Sequence, residues 1–380
     1  MRVSVVLFSF ILIIVACDSH KTKPVYKTGL VVFKDFDSTR HFDTSSLNHF
    51  RPVKIDVFYP STDTVAHAEL LYGDILDMYE QRFNFNAPID SCKKTSMELA
   101  KAFAGYLHVD SAAKMLSYKT GIYNNLKQPV ERLPLIVYAA GMNGSSWDNV
   151  ILFDSLAKKG FVVASVSSVG KFPGYMTAAV DLDEQVRDIL FAIDRMKKLP
   201  YTDASKIGLL SWSLGGSAIT KVAMLSSEIK CLLSFDGTEI HYYGFDRDWD
   251  KEFNEIKTIA PFTPAAITVP YMYLSSEHPA NIDSIYSLPQ HVSSTEKYFL
   301  KFRNGIHENF SSIVSIANAV DPKPNNMDSG RHEIICNLTA AFFDQYLKQD
   351  KSANTKQYLQ HLVALSPSKY DTAWPVFQHK

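Results

Sequence analysis

Residues 211–216, Ser-Trp-Ser-Leu-Gly-Gly, give the clearest indication of the fold. An apolar run, 207–210, predicts a buried strand that leads into this stretch, and the small and apolar residues after it predict a buried helix. A sharp turn between a strand and a helix needs small residues two positions before and two positions after its apex, and Ser211 and Gly215 meet that need. The pattern predicts that Ser213 stands at the apex, with its hydroxyl raised above the sheet. A glycine-rich turn without chemistry is the alternative.

His307 is the histidine that best suits a serine at such an apex. It follows a strand-like run, 297–302, and an Asn-Gly turn at 304–305, so we expect it on a loop at the carboxyl end of the sheet. There its imidazole can accept the proton of the Ser213 hydroxyl. The alternative is an ordinary surface histidine, one of twelve in the chain.

Two strand ends could supply the carboxylate that orients this histidine. One apolar run, 231–235, ends at Asp236, and the other, 271–274, ends near Glu277. The acid has to fix the tautomer of the imidazole and stabilise its positive charge, and either position serves that role. In both cases serine, acid and histidine follow one another along the chain in the order of α/β-hydrolases.

These motifs together resemble those of the platelet-activating-factor acetylhydrolase group, within the dienelactone-hydrolase-like α/β-hydrolases. The shared features are the turns at Ser213 and Asp236 and the string Gly-Ile-His-Glu-Asn-Phe at 305–310. The resemblance implies that Asp236 is the acid and His307 the base. It implies an α/β-hydrolase fold, with a mainly parallel sheet covered by helices on both faces. It also implies hydrolysis of a short or truncated acyl ester, on a phospholipid or another small molecule, without a cofactor.

A second glycine-containing loop predicts the donors that stabilise an oxyanion. Residues 134–139 have the pattern of a buried strand that enters the loop 140–144, Ala-Gly-Met-Asn-Gly. Such a loop donates one backbone N–H to the developing negative charge, and the residue after the serine donates the other. We therefore predict the N–H groups of Met142 and Leu214 as the donors. The resembling family has a histidine where this chain has Ala140, so the supporting contact of that histidine is absent.

The amino terminus predicts a lipoprotein signal. Residues 3–15 are apolar but shorter than the roughly 18 residues that cross a bilayer, and they run into Val-Ala-Cys at 15–17. This resembles a bacterial lipobox, so we expect a signal over 1–17, lipid on Cys17 and a polar tether over 18–27. The protein is then expected in the cell envelope, held by lipid at the periplasmic or surface face of a bacterial membrane. An ordinary secretory peptide is the alternative.

Composition and charge restrict the remaining choices. The net charge is −1 and no basic cluster is present, which argues against a nucleic-acid partner. Besides Cys17 the chain has Cys92, Cys231 and Cys336, which allow at most one disulfide. No group of residues has metal-ligand spacing, and the expected chemistry needs no metal. A single domain is expected over 28–380, because no linker-like change of composition interrupts it.

Strand and helix patterns alternate from about 135 to 302, which favours a mainly parallel sheet. Before that region, 29–36 and 53–59 predict an antiparallel pair of strands. Further elements are predicted as a strand at 161–167 and helices at 150–159, 178–199 and 331–348. Asp148 or Asn149 is expected to cap the first of these helices.

Two insertions interrupt the alternation. The first, at about 70–130, carries helical patterns, and the second, 238–267, is rich in aromatic residues. Insertions at the carboxyl ends of strands lie above the active site of such a sheet, so we expect both to form a cap that shapes the acyl and leaving-group pockets.

Three functions remain compatible with the sequence. The first is a serine esterase that acts on a small carboxylic ester. The second keeps the same triad but acts on an acetyl or feruloyl ester of a carbohydrate, or on a peptide. The third is a lipid-anchored binding protein without catalytic activity, supported by Ser211 in place of glycine and Ala140 in place of histidine.

Overall fold

The computed structural model describes residues 26–42, 50–65, 67–174, 176, 178–239, 263–277, 288–322 and 330–373. Its strands are β1 (Lys27–His41), β2 (Phe50–Ser61), β3 (Glu69–Leu71), β4 (Lys119–Asn124), β5 (Leu133–Ala139), β6 (Val162–Val166), β7 (Thr202–Trp212), β8 (Ile229–Phe235), β9 (Tyr271–Ser275), β10 (Lys297–Phe302) and β11 (Tyr370–Asp371). Its helices are α1 (Tyr72–Asp77), α2 (Ile89–Tyr106), α3 (Ala112–Leu116), α4 (Val150–Lys158), α5 (Ala178–Met196), α6 (Leu214–Leu225), α7 (Leu288–His291), α8 (Ser312–Val320), α9 (Gly330–Tyr346) and α10 (Thr355–Leu365).

The described strands form one mixed sheet, in the order β11-β10-β9-β8-β7-β5-β6-β2-β1-β4-β3. The six neighbours from β10 to β6 are all parallel. Strand β2 runs antiparallel to β6, and β1 runs antiparallel to β2. The predicted mainly parallel sheet and the predicted antiparallel early pair are therefore confirmed.

Helices cover both faces of the parallel strands, which explains why these strands are continuous apolar runs. Every residue of β5 and of β6 is buried, as strands covered on both faces must be. Within β5, Ile136 and Tyr138 pack into one core with α4, α8 and α9, whereas Leu135 and Val137 pack into a second core with α5 and α6. The alternation along the strand therefore sorts the side chains between two hydrophobic layers.

Strand β5 lies between β6 and β7, so the chain leaves it toward one neighbour and later returns to the other side. At such a switch point the loops that follow two adjacent parallel strands diverge, which opens a crevice at their carboxyl ends. The loop after β5 contains Gly141 and Met142, and the turn after β7 contains Ser213. The topology thus brings the predicted oxyanion loop and the predicted nucleophile to the same crevice.

The segment 70–130 contains helices α1, α2 and α3, but it also contains a strand that the sequence pattern did not predict. Strand β4 pairs parallel to β1 and antiparallel to the short β3. Gly121 lies within β4 at φ +77°, a conformation that favours glycine, and its N–H donates to a carboxylate oxygen of Glu69 at 2.7 Å. The insertion therefore extends the sheet on the side of β1.

Helix α4 begins after Asn149, whose side chain makes no capping hydrogen bond, and it ends before Gly160 at φ +84°. The predicted boundaries are correct within one residue. The cap prediction is wrong for Asp148, because its carboxylate turns inward toward the loop after β5 instead of capping α4.

Several predictions fall on residues outside the described ranges. These are the signal with Cys17, most of the tether and most of the aromatic insertion 238–267. Among the described residues, no helix has both the length and the apolar character that crossing a membrane requires. The three described cysteines, Cys92, Cys231 and Cys336, are buried and form no disulfide.

Candidate active site

Ser213 occupies a strained turn between β7 and α6. Its backbone has φ +59° and ψ −128°, and α6 begins at the next residue, Leu214. A non-glycine residue in such a conformation costs about 1–3 kcal/mol and persists only where its surroundings enforce it. Here the Ser213 N–H donates to the Phe235 carbonyl at 3.0 Å, and the Ser213 carbonyl accepts from the Thr238 N–H at 3.2 Å. The turn that carries Ser213 is therefore tied to the turn that carries Asp236.

The residues on either side of Ser213 explain which side chains this turn tolerates. A β-carbon at Gly215 would lie 2.3 Å from the carbonyl oxygen of Ala139, so only glycine fits at that position. Ser211 is accommodated because its hydroxyl donates to the hydroxyl of Ser234 on β8 at 3.3 Å. The turn therefore accommodates serine in place of glycine at 211.

Asp236 and His307 form a close pair although they are far apart in the sequence. Nδ1 of His307 lies 2.8 Å from Oδ2 of Asp236. The Asp236 side chain is fully buried and that of His307 is 18% exposed, so the imidazole covers the carboxylate and keeps one edge accessible. The two oxygens of Asp236 also accept hydrogen bonds from the backbone N–H and the hydroxyl of Ser276, at 2.8 and 2.7 Å. These contacts fix the carboxylate in the plane that faces His307.

Trp212 connects the histidine to the serine turn. Its indole ring is stacked on the His307 ring, with the centroids 4.9 Å apart and the planes 25° from parallel. Its Nε1–H also donates to the carbonyl oxygen of His307 at 3.3 Å. Because Trp212 directly precedes Ser213, these two contacts hold the histidine beside the serine turn. Nothing in the sequence pattern of the turn indicated this role for the tryptophan.

Glu277, the alternative acid, supports the loop of the histidine. Its carboxylate accepts from the backbone N–H of Asn304 at 2.6 Å, and its own N–H donates to the Gly305 carbonyl at 3.1 Å. Asn304 has φ +53°, so this turn too is strained. The guanidinium of Arg331 donates to the Asn304 carbonyl at 2.7 Å. The structure therefore brings Asp236, and not Glu277, to Nδ1 of His307.

The oxyanion loop, residues 141–145, lies against the serine turn. A β-carbon on Gly141 would be 3.3 Å from the Ser213 β-carbon and 3.1 Å from the Trp212 ring. The next residue is Met142, and Leu214 opens α6. Among the described residues, neither the Met142 N–H nor the Leu214 N–H donates a hydrogen bond. Two backbone donors without an internal partner, on either side of one serine, are what an oxyanion hole requires.

The oxyanion loop encloses a buried carboxylate. Asp148 accepts from the N–H of Gly141 at 3.2 Å, from the N–H of Ser145 at 3.3 Å and from the hydroxyl of Tyr138 at 3.2 Å. Burial raises the pKa of Asp148 to about 8, although these three donors oppose the shift. The Ala140 carbonyl, directly before the loop, accepts from Nε2 of the buried Gln185 at 2.7 Å. The loop is thus held by contacts that do not involve a histidine at position 140.

A second buried carboxylate, that of Glu239, lies beneath the serine turn. Its Oε1 accepts from the Tyr271 hydroxyl at 3.1 Å. Its Oε2 would be 2.0 Å from a β-carbon at either Gly216 or Gly237, so the carboxylate lies between α6 and the Asp236 turn. Burial, with a smaller contribution from the negative charge of Asp236, raises the pKa of Glu239 to about 7. No motif in the sequence marked this residue.

Helix α2 approaches the site from the first insertion. The Phe103 ring lies 4.8 Å from that of Trp147, which follows the oxyanion loop. The Tyr106 hydroxyl hydrogen-bonds to Glu308, the residue after His307, and burial together with this contact raises the pKa of Tyr106 to about 12. Helix α2 therefore contacts both the oxyanion side and the histidine side, as a cap over the crevice would.

Backbone strain is concentrated in this region. Four of the seven non-glycine residues with positive φ in the described chain lie in the turns of the site, namely Asn143, Ser213, Asp236 and Asn304. Such clustering is typical of functional sites, where the surrounding structure enforces unfavourable backbone conformations.

A cysteine and a histidine also lie close together on α9, but their protonation states differ from those of a catalytic pair. Sγ of Cys336 lies 3.7 Å from Nδ1 of His332, one turn earlier on α9. Burial raises the pKa of Cys336 to about 12 and lowers that of His332 to about 4. Both shifts favour a protonated thiol and a neutral imidazole at physiological pH, which argues against a thiolate nucleophile. No group of side chains in the described residues has the arrangement of a metal site.

Comparison with known proteins supports the fold. No protein-family model matches the sequence, and no curated protein matches it. Among solved structures, the chain is similar to a ferulic acid esterase from Streptomyces cinnamoneus, with a TM-score of 0.59 and 17% sequence identity over 87% of this chain and 92% of that chain. Together with the sheet topology, this similarity confirms the predicted α/β-hydrolase fold.

Proposed function

We propose that the protein is a serine esterase in which Ser213, His307 and Asp236 form the catalytic triad. The Ser213 hydroxyl attacks the carbonyl carbon of the ester while Nε2 of His307 accepts its proton. Asp236 accepts the hydrogen bond from Nδ1–H of His307, which fixes the tautomer and stabilises the imidazolium. The negative charge on the former carbonyl oxygen is stabilised by the N–H groups of Met142 and Leu214.

The tetrahedral intermediate then collapses. The bond between the acyl carbon and the alcohol oxygen breaks, and the imidazolium of His307 returns the proton to the leaving alcohol. An acyl group remains on Ser213. His307 next removes a proton from a water molecule, the resulting hydroxide attacks the acyl carbon, and the carboxylic acid leaves as Ser213 regains its proton.

The observation that carries this proposal is the pairing of His307 with the fully buried Asp236 at 2.8 Å, beside the strained turn of Ser213. The intact pair also favours an enzyme over the binding protein that the sequence left open, because a partly exposed imidazole oriented by a buried carboxylate beside a serine is the arrangement of a general base.

Labelling with a fluorophosphonate probe tests the nucleophile. We expect the probe to modify Ser213 in the wild-type protein, and we expect Ser213→Ala to abolish both labelling and ester turnover. Ser211→Ala is the matched control, because it removes a buried hydroxyl two residues away that donates to Ser234. A folded wild-type protein that resists the probe, while a known serine hydrolase reacts in the same assay, contradicts the proposal.

For the substrate, we propose a short or truncated acyl ester of a phospholipid or of another small molecule, as the resemblance of the motifs implies. A carbohydrate ester with an acetyl or feruloyl group is the second candidate. It is favoured by the structural similarity to a ferulic acid esterase and by the aromatic residues of α2, Phe103 and Tyr106, beside the site. Turnover of p-nitrophenyl acetate, butyrate and octanoate, measured beside methyl ferulate, acetylated xylan and a peptide substrate, distinguishes these classes.

We further propose that Cys17 carries lipid and anchors the enzyme in the cell envelope. The support is the apolar run and the lipobox-like end of residues 3–17. We expect the protein expressed in a bacterium to fractionate with membranes and Cys17→Ser to shift it to a soluble or uncleaved form. Metabolic labelling with an alkyne fatty acid provides a direct readout, and unlabelled wild-type protein would contradict the anchor without affecting the esterase proposal.

A further inference from the structure

The oxyanion loop has no regular secondary structure, yet its backbone must be held to within a fraction of an ångström for its N–H to act on a transition state. Strand β5 ends at Ala139, and the backbone turns so that the Gly144 N–H donates to the Gly141 carbonyl at 2.8 Å. That hydrogen bond holds, at its oxygen, the peptide unit that also contains the Met142 N–H, but one contact leaves this unit free to tilt about the backbone bonds of Gly141. The remaining contacts of the loop come from residues elsewhere in the chain.

One set of these contacts lies inside the loop. The Asp148 carboxylate accepts from the N–H of Gly141 and from the N–H of Ser145, so its two oxygens bridge both ends of the loop. A β-carbon at Gly144 would lie 2.5 Å from Oδ2 of Asp148, which shows how closely the backbone surrounds the carboxylate. Asp148 is fully buried, and its own carbonyl accepts from the Ser311 hydroxyl at 2.6 Å.

Two backbone N–H groups also hold the later part of the loop, that of Ser168 on the Gly144 carbonyl at 3.0 Å and that of Met176 on Oδ1 of Asn143 at 2.8 Å, and a further contact comes from the opposite core. Gln185 is fully buried on α5, and its Nε2 donates to the Ala140 carbonyl at 2.7 Å. The peptide unit that contains this carbonyl also contains the Gly141 N–H, which donates to Asp148. One peptide plane is therefore held at both its oxygen and its nitrogen, immediately before Met142. The plane that contains the Met142 N–H is joined to it through the φ and ψ of Gly141 and is itself held at the Gly141 carbonyl, so fixing the first plane narrows the orientations open to the second.

We propose that Asp148 and Gln185 are positioning residues that orient the Met142 N–H toward the oxyanion. Neither residue touches the reacting atoms, and each acts through the peptide plane between Ala140 and Gly141. The role rests on the proposed esterase function, because an oxyanion donor has meaning only for acyl transfer.

Asp148→Asn and Gln185→Met test the proposal, with Asp154→Asn as the matched control. Asparagine places an amide nitrogen, which cannot accept a hydrogen bond, where aspartate has its second oxygen, so one of the two loop N–H groups loses its acceptor. Methionine keeps the volume of Gln185 without the donor. Asp154 is a partly buried carboxylate of α4 that contacts Thr28 and Lys158 instead of the loop. We expect kcat to fall about tenfold or more in Asp148→Asn and about three- to tenfold in Gln185→Met, with KM changed less than twofold, because the lost stabilisation is confined to the transition state.

Amide hydrogen exchange of the peptide that spans 140–146 is measured on the same proteins. We expect faster exchange in both variants and wild-type exchange in Asp154→Asn. Wild-type kcat and wild-type exchange in both folded variants would overturn the proposal while the esterase assignment stands. If both variants exchange faster than the wild type, but the wild-type protein itself turns over no ester, the esterase assignment is refuted instead. If Asp148→Asn fails to fold, Gln185→Met decides, since it removes only one hydrogen bond.

Discussion

The two sides of the site are held in different ways. The histidine side consists of Asp236, Ser276 and His307. The oxyanion side consists of the loop 141–145 with Asp148 and Gln185. On the histidine side the functional groups are side chains, and a charged hydrogen bond between two of them sets the geometry. On the oxyanion side the functional group is a backbone N–H, and buried polar side chains hold it from behind. A side-chain pair can be recognised from residue identity, whereas the supports of a backbone donor leave no motif.

Asp236→Asn is expected to give the largest effect. Asparagine would present an amide to Nδ1 of His307 and favour the wrong tautomer, so kcat should fall about 10⁴-fold with little change in the fold. The measurement is steady-state turnover of a p-nitrophenyl ester, with melting temperature as the check on folding. A variant that keeps most of its activity would show that the histidine side does not depend on this carboxylate.

The stability of the protein should depend on pH through Asp148, which belongs to the oxyanion side. Its pKa in the folded protein is about 8, above the value of about 3.8 for a free carboxyl, so the native state holds a proton that the unfolded state releases. The free energy of unfolding of the wild type, relative to Asp148→Asn, should therefore fall as pH rises from about 4 to 8, by up to about 1.4 kcal/mol per pH unit. Urea titrations at several pH values test this, and parallel stability curves for the two proteins would contradict it.

Ser276→Ala should give an intermediate effect on the histidine side. The variant keeps the backbone N–H that donates to Asp236 but loses the hydroxyl that donates to Oδ2, the oxygen that faces His307. We expect kcat to fall about tenfold, consistent with the loss of one hydrogen bond to a charged group. Ser276→Thr keeps the hydroxyl and should retain most of the activity. Equal losses in both variants would indicate a packing defect instead of a lost donor.

Glu277→Ala should give the smallest effect. The variant removes the acceptor of the Asn304 N–H and loosens a turn that Arg331 also holds, so turnover should fall about two- to fivefold. The measurement is kcat at saturating ester. A loss as large as that of Asp236→Asn would mean that Glu277 is the acid and that the carboxylate paired with His307 is not the functional one.

Much of the fold was predictable because its strands are continuous apolar runs bounded by turn residues. The predicted strand 297–302 and the observed β10 coincide, and β8 and β9 differ from their predictions by one or two residues at one end. The strand β4 was missed because it pairs at the periphery of the sheet and contains Gly121, a residue that normally weakens a strand pattern. Pairing with β1 and β3 overrides that local preference.

The candidate site was predictable only where chemistry requires a particular side chain. Ser213, Asp236 and His307 each follow a strand, and the structure pairs the acid and the histidine. Asp148 was predicted, as one of two candidates with Asn149, to cap a helix, since an aspartate before an apolar helix usually has that role. Its actual position depends on a loop that folds around it. Trp212, Gln185 and Glu239 were not predicted at all, because their contacts are made across elements that no local pattern connects.

The ends of the sheet bear on how this protein behaves at high concentration. Among the described strands, one border is β3, with three residues, and the other is β11, with two. A long row of unpaired backbone groups at a border recruits strands from other chains, and very short border strands remove that row. The two short border strands therefore reduce the template for edge-to-edge aggregation without removing it, because β11 pairs with only two residues of β10 and β4 pairs with only three residues of β1.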